Sequence, residues 1–142
     1  MSTEVIIVWI LTALAAVVVV LTRLRLAAEE GGAGQFRVGD RLLLVHTAAG
    51  SLAIVVWVVF LVADEGTPAG GAVTGIVALA LWWLVAGAGL LVLLRWLPAR
   101  GRHATTVAHD SWSEGPGLSI LAHVGMVVGV LVFTWAYLAS VV

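Results

Sequence analysis

The sequence contains no cysteine and no lysine, and it has few charged residues of any kind. The absence of cysteine excludes disulfides, thiolate metal sites, iron–sulfur clusters and haem attached through a Cys-x-x-Cys-His motif. Arginine supplies all seven basic residues and the formal net charge is -1, so the composition does not support nucleic-acid binding. Only 11% of the 142 residues are charged, against about 25% in soluble domains.

Hydrophobic residues make up 62% of the chain and the mean hydropathy is +1.14, which is typical of an integral membrane protein. The positions of Asp, Glu and Arg leave four uncharged stretches, each long enough to cross a hydrocarbon core of about 30 Å as a helix. We therefore predict an all-α fold, a single domain over residues 1–142 in which four helices cross the lipid bilayer. The predicted helices cover residues 4–24, 41–63, 72–96 and 116–141.

The arginines fall on one side of this predicted arrangement. They bracket the first and third connections between helices, whereas the second connection and both termini have none: Arg23, Arg25, Arg37, Arg41, Arg95, Arg100 and Arg102. Because arginine is enriched in cytoplasmic loops, both termini are expected on the non-cytoplasmic side. The sequence thus predicts an up-down-up-down bundle, a multi-pass protein of the plasma membrane.

Apart from Tyr137, two histidines are the ionisable side chains that interrupt the four uncharged stretches. His46 lies five residues beyond Arg41 and His123 seven beyond Pro116, so each lies roughly 8–10 Å inside the cytoplasmic end of its helix. An ionisable side chain inside a membrane is costly and is therefore a functional candidate. Two neutral imidazoles that face each other across a bundle are the metal ligands that bis-His coordination of a b-type haem requires. The alternative is a pair of packed polar side chains without a ligand.

Small residues cluster near the predicted depth of this pair. Counting along each helix gives Gly50, Gly87, Gly89 and Gly125, together with Ala15 and Ala16. We expect the glycines to open a slot for the haem ring; the alternative is that they only allow close helix packing. Arg41 and Arg95 lie near the cytoplasmic interface, where we expect them to offer charge-assisted hydrogen bonds to the haem propionates.

Two segments carry a further signal. They are His46-Thr47-Ala48-Ala49-Gly50, with Trp57 and Phe60 after it, and His123-Val124-Gly125 in the last helix. In these segments the chain resembles the small b-type membrane cytochromes. The resemblance implies a four-helix fold, one haem b held by His46 and His123, and electron transfer, with a quinone as candidate substrate. Di-haem proteins of this kind carry a second histidine pair in the other leaflet, which this chain lacks.

Three tryptophans, Trp57, Trp82 and Trp83, lie in the middle of the predicted helices. The sequence leaves three places open for them, namely the lipid, the core or a cleft of quinone size. Trp135 and Tyr137 suit the outer membrane interface, where aromatic residues are enriched.

These features favour a membrane electron-transfer subunit over a stand-alone enzyme. The alternative function is a non-catalytic accessory or assembly subunit of a larger membrane complex, such as a respiratory one, in contact with other membrane subunits or with a second copy of the chain. Transport is disfavoured because the outer half of the helices is nearly all aliphatic. His103 and His109 lie in the third connection, at a spacing that matches no metal motif.

Overall fold

The computed structural model describes residues 1–28, 39–94 and 117–142. These residues form four helices: α1 (Thr3–Ala28), α2 (Asp40–Val62), α3 (Ala72–Leu93) and α4 (Gly117–Leu138). Each helix contains a segment that is long and apolar enough to cross a membrane. The all-α prediction is confirmed, and the four candidate spans indicate a multi-pass membrane protein.

The helix ends differ from the predicted ones by a few residues. Helix α1 continues to Ala28, four residues beyond the predicted end, and α4 stops at Leu138, three residues early. The early stop has a local cause, because Ser140 adopts a left-handed conformation with φ 52°. The N–H of Val141 then donates a hydrogen bond to the carbonyl of Ala136 at 2.9 Å, the six-to-one bond that closes many helix ends. Residues 95 and 96, the predicted end of α3, lie outside the described residues.

A tight turn joins α2 to α3. The Thr67 hydroxyl donates a hydrogen bond to the Asp64 carbonyl at 2.7 Å and accepts one from the Gly70 N–H at 3.2 Å. A Cβ atom at Gly70 would overlap the carbonyl oxygens of Ala63 and Asp64, so this close approach requires glycine. The turn therefore holds the end of α2 against the start of α3.

The helices pack in a ring, in which each contacts its neighbours in sequence and α1 also contacts α4. Within the described residues, the backbones of the two diagonal pairs do not come close to each other; these pairs are α1 with α3 and α2 with α4. Side chains that meet between α2 and α4 must therefore reach across the centre of the bundle.

Aromatic side chains fill one half of the core. Trp57, Trp82 and Phe133 are fully buried, and the Phe133 ring lies 5.0 Å from Trp57 and 5.5 Å from Trp82, between ring centroids. The Trp57 indole N–H donates a hydrogen bond to the buried hydroxyl of Thr12 at 3.1 Å, which ties α2 to α1. Trp57 and Trp82 are thus core residues, whereas Trp83 is half-exposed and donates to Thr134.

Candidate functional site, a buried histidine pair

His46 and His123 meet in the interior of the bundle. Their side chains are 1% and 5% exposed, and their ring centroids are 6.3 Å apart with the ring planes inclined by 53°. His46 lies on α2 and His123 on α4, the diagonal pair of helices. The prediction that these two imidazoles come together is thus met by the geometry, and each reaches the centre from an opposite side.

Helix α3 approaches the pair at Gly89. A Cβ atom at this position would lie 2.7 Å from Cδ2 of His123, 3.6 Å from its Nε2 and 3.7 Å from Nε2 of His46. The Nε2 atoms of both histidines therefore point toward the same small volume beside the α3 backbone. Only glycine leaves that volume open, because a contact of 2.7 Å to a Cβ atom would force a neighbour to move.

A hydrogen bond orients His123. Its Nδ1 lies 2.7 Å from the carbonyl oxygen of Ser119, one helical turn earlier on α4, and 3.4 Å from the Ser119 hydroxyl. A carbonyl oxygen can only accept, so Nδ1 of His123 carries the proton and donates it. The lone pair of this imidazole is then on Nε2, the atom that faces His46. Metal-bound histidines usually donate their other ring N–H in this way, to a carboxylate, a backbone carbonyl or water.

His46 has a different environment. Its Nδ1 is buried and has no hydrogen-bond partner among the residues that the structure describes. The neighbouring Thr47 hydroxyl does not serve, because it donates to the carbonyl of Leu43 at 2.8 Å instead. A buried polar atom without a partner costs about 1–3 kcal/mol, which marks this position as one retained at the expense of stability.

Two of the four glycines predicted to line the site do not join it. Gly87 and Gly125 are exposed, and a Cβ atom at either position would meet nothing within 4 Å. Both lie two residues from a site residue on the same helix, and two residues rotate the helix face by about 200°. Counting residues along a helix gave their depth correctly but not the side of the helix on which they lie.

Gly50 and the two alanines of α1 belong to deeper layers. A Cβ atom at Gly50 would lie 2.8 Å from Cγ1 of Val19, so Gly50 serves the contact between α1 and α2 one turn below His46. Val19 on α1 therefore lies at the level of Gly50, one helical turn from the level of the histidine pair. Ala15 and Ala16 come three and four residues before Val19, so they lie about one further turn from His46.

Two small buried residues lie one helical turn from site residues, one on α2 and one on α3. Ala49 follows His46 by three residues and Ala86 precedes Gly89 by three, and both are buried. The sequence reasoning missed these two positions, although the spacing of three residues that places them on the site-facing side could have indicated them.

Of the two predicted arginines, the structure describes one. Arg41 is exposed in the first turn of α2, five residues before His46. Arg95 lies outside the described residues, as do His103 and His109.

The chemistry of the pair is that of two neutral nitrogen ligands. Among the described residues no group of three or more His, Cys, Asp or Glu side chains could hold a metal ion by itself. The two ring centroids are 6.3 Å apart and both Nε2 atoms lie beside Gly89, so the pair offers two nitrogen donors at one place. The donor set therefore fits a metal that brings its remaining ligands with it.

A cleft of about 690 Å³ lies at the other end of the bundle, lined by the rings of Trp9, Phe60 and Tyr137 among other groups. Phe60 and Tyr137 follow the two histidines by fourteen residues each, about 21 Å along their helices. None of Trp57, Trp82 and Trp83 lines this cleft. This cleft is thus remote from the histidine pair.

Comparison with protein-family models, with curated protein sequences and with solved structures finds no match to this chain. The resemblance to b-type cytochromes therefore has no support from a relative.

Proposed function

We propose that this protein is a membrane electron carrier that binds one b-type haem between His46 and His123. One observation carries the proposal: two buried imidazoles from diagonally placed helices direct Nε2 toward one volume beside Gly89, with ring centroids 6.3 Å apart. A six-coordinate b-type haem takes two protein ligands, since the porphyrin supplies the other four nitrogens. A bare metal ion would need further ligands, which the described residues do not bring to this place.

The residues around the pair suit electron transfer better than bond-making catalysis. In the part of the chain that the structure describes, the buried polar side chains are Thr12, His46, Ser119 and His123. Hydrolysis by a histidine base would need a nucleophile or a second acid–base group beside it, and no buried carboxylate or thiol accompanies this pair in the described residues. The bound haem would supply one-electron exchange, and the protein would supply ligation, orientation and exclusion of water.

The contacts between helices support the up-down-up-down topology as part of the proposal. Trp57 of α2 bonds Thr12 of α1, and Gly50, earlier on α2, adjoins Val19, later on α1. Residue numbers thus rise on one helix as they fall on its partner. Gly89 of α3 lies beside His123 of α4, whereas Gly75, earlier on α3, lies beside the later Tyr137.

We place both termini on the non-cytoplasmic side of the plasma membrane, because all seven arginines lie in or beside the first and third connections. The histidine pair then lies toward the cytoplasmic leaflet. In that orientation Arg41 lies at the cytoplasmic surface, where it would pair with a haem propionate, and Arg95 is assigned the same role from its sequence position. The electron donor is a cytoplasmic-side reductant or a quinol, and the acceptor is a partner membrane subunit.

The test is the absorption spectrum of the full chain purified in mild detergent. We expect the sharp α band of a six-coordinate b-type haem after reduction, and we expect His46→Ala and His123→Ala each to abolish that six-coordinate band. His103→Ala is the matched control, since it removes a histidine that the proposal does not use, and its spectrum should equal that of the wild type. A reduced wild-type protein without the band, expressed with an adequate haem supply, would overturn the proposal and favour the accessory-subunit alternative.

A further inference from the structure

The two histidines of the pair differ in how they are held. Nδ1 of His123 donates a hydrogen bond to the Ser119 carbonyl at 2.7 Å, whereas Nδ1 of His46 has no partner among the described residues. A hydrogen bond from the outer nitrogen fixes the ring and raises the basicity of the nitrogen that binds metal, and its loss typically weakens metal binding by about 10–100-fold. The pair is therefore chemically asymmetric.

The surroundings of each ring on its own helix add to this asymmetry. One turn beyond His46 the same face carries Ala49 and Gly50, so no side chain larger than a methyl group of α2 supports that ring from this side. His123 is flanked by Ser119 one turn before it and by the buried thioether of Met126 one turn after it. His123 is thus held by a hydrogen bond that His46 lacks within the described residues, and Met126 follows His123 at the spacing at which the smaller Ala49 follows His46.

We infer that His46 is the exchangeable ligand of this site and that the site admits a small neutral diatomic ligand, of the carbon monoxide class, on the α2 side. This inference rests on the proposed haem function and goes beyond it, because a six-coordinate electron carrier needs no such exchange. In the exchange, Nε2 of His46 would give up its place on the metal, and the incoming ligand would donate its own electron pair in that position. The His46 ring leaves neutral, no proton is transferred, and no electron leaves the protein.

The first test compares two single substitutions by haem titration of the purified proteins. His46→Ala leaves the hydrogen-bonded His123 as the sole ligand, whereas His123→Ala leaves the unsupported His46. We expect His123→Ala to bind haem about 10–100-fold more weakly than His46→Ala. Equal affinities, or the reverse order, would overturn the inference.

The second test adds carbon monoxide to the reduced wild-type protein and records the shift of its Soret band. Saturable binding is expected, and His46→Ala should bind carbon monoxide about 10-fold more tightly or better, because no internal ligand competes there. Gly87→Ala is the control, because a Cβ atom there meets nothing within 4 Å and Gly87 faces away from the histidines, so its behaviour should equal that of the wild type. A wild-type protein that shows the six-coordinate band but no shift would overturn the inference and leave the proposed function standing.

A third measurement guards against misfolding of the alanine variants. His46→Gly should recover the six-coordinate band when imidazole is added, because the free ligand can take the place of an exchangeable side chain. His123→Gly should not recover it at the same imidazole concentration. Recovery of both variants to the same extent would contradict the asymmetry, and a colourless wild-type protein would instead contradict the proposed function.

Discussion

At the scale of single residues, Gly89 decides whether the two imidazoles can share one volume. The Nε2 atoms of His46 and His123 would both lie within 3.7 Å of a Cβ atom at this position, and Cδ2 of His123 would lie at 2.7 Å. The nearest atoms belong to a ring that is buried and tied by its other nitrogen to Ser119, so the ring cannot move aside freely. A methyl group here would act on both imidazoles at once.

Gly89→Ala should therefore lower both stability and haem binding. We expect a loss of about 1–3 kcal/mol in the free energy of unfolding, the usual cost of overpacking a buried site, and a weaker six-coordinate band. Gly87→Ala is the matched control on the same helix, since a Cβ atom there meets nothing within 4 Å. Thermal unfolding in detergent and the reduced spectrum measure the two effects. If both variants behave alike, Gly89 does not form part of the site.

The two histidines that the sequence predicts for the site belong to a residue type that is rare in the four spans. His46 and His123 were predicted because ionisable side chains are scarce in the four spans, and the structure brings them together. The glycines were predicted by depth alone, which places Gly89 at the site but cannot distinguish it from Gly87 on the opposite face. The hydrogen bond from the Thr47 hydroxyl to the Leu43 carbonyl depends on a side-chain rotamer, which the sequence does not show.

At the scale of the helices, the positions of charged residues predict the spans well and the contacts between spans poorly. The start of α3 falls at Ala72 as predicted, because the Gly70-Gly71 pair and the turn before it fix where the helix begins. The hydrogen bond between Trp57 and Thr12 joins residues 45 positions apart. The sequence of neither helix indicates this hydrogen bond, since the partner of each polar group depends on how the helices pack against each other.

Thr12→Val tests that link between α1 and α2. The substitution keeps the shape of the side chain but leaves the buried indole N–H of Trp57 without its acceptor, so we expect a loss of about 1 kcal/mol in stability. Thr134→Val is the control, because its partner Trp83 is half-exposed and less of the indole is buried. Unfolding of the two variants in the same detergent gives the comparison. An equal effect of both substitutions would mean that burial does not set the strength of these bonds.

At the scale of the whole molecule, the bundle is divided along its length. Large aromatic side chains fill the core in one part, namely Trp57, Trp82 and Phe133. Trp57 also contacts Phe60, which in turn contacts Tyr137. Around the histidines, Gly89 and alanine replace such rings. The aromatic part supplies the apolar packing that a bundle of four spans needs, so the histidine part can retain a polar pair and small residues at the expense of stability.

This division gives the membrane orientation a functional consequence, because it determines which leaflet contains the histidine pair. The chain has no cysteine, so single cysteines can be introduced without first removing any. We expect Ser2→Cys and Gly66→Cys to react with a membrane-impermeant maleimide added outside intact cells, because the terminus and the second connection are proposed to face out. Gly34→Cys and Gly101→Cys, in the two arginine-containing connections, should react only after the cells are permeabilised. The reverse labelling pattern would place the histidines in the outer leaflet and would replace a cytoplasmic electron donor by one on the other side of the membrane.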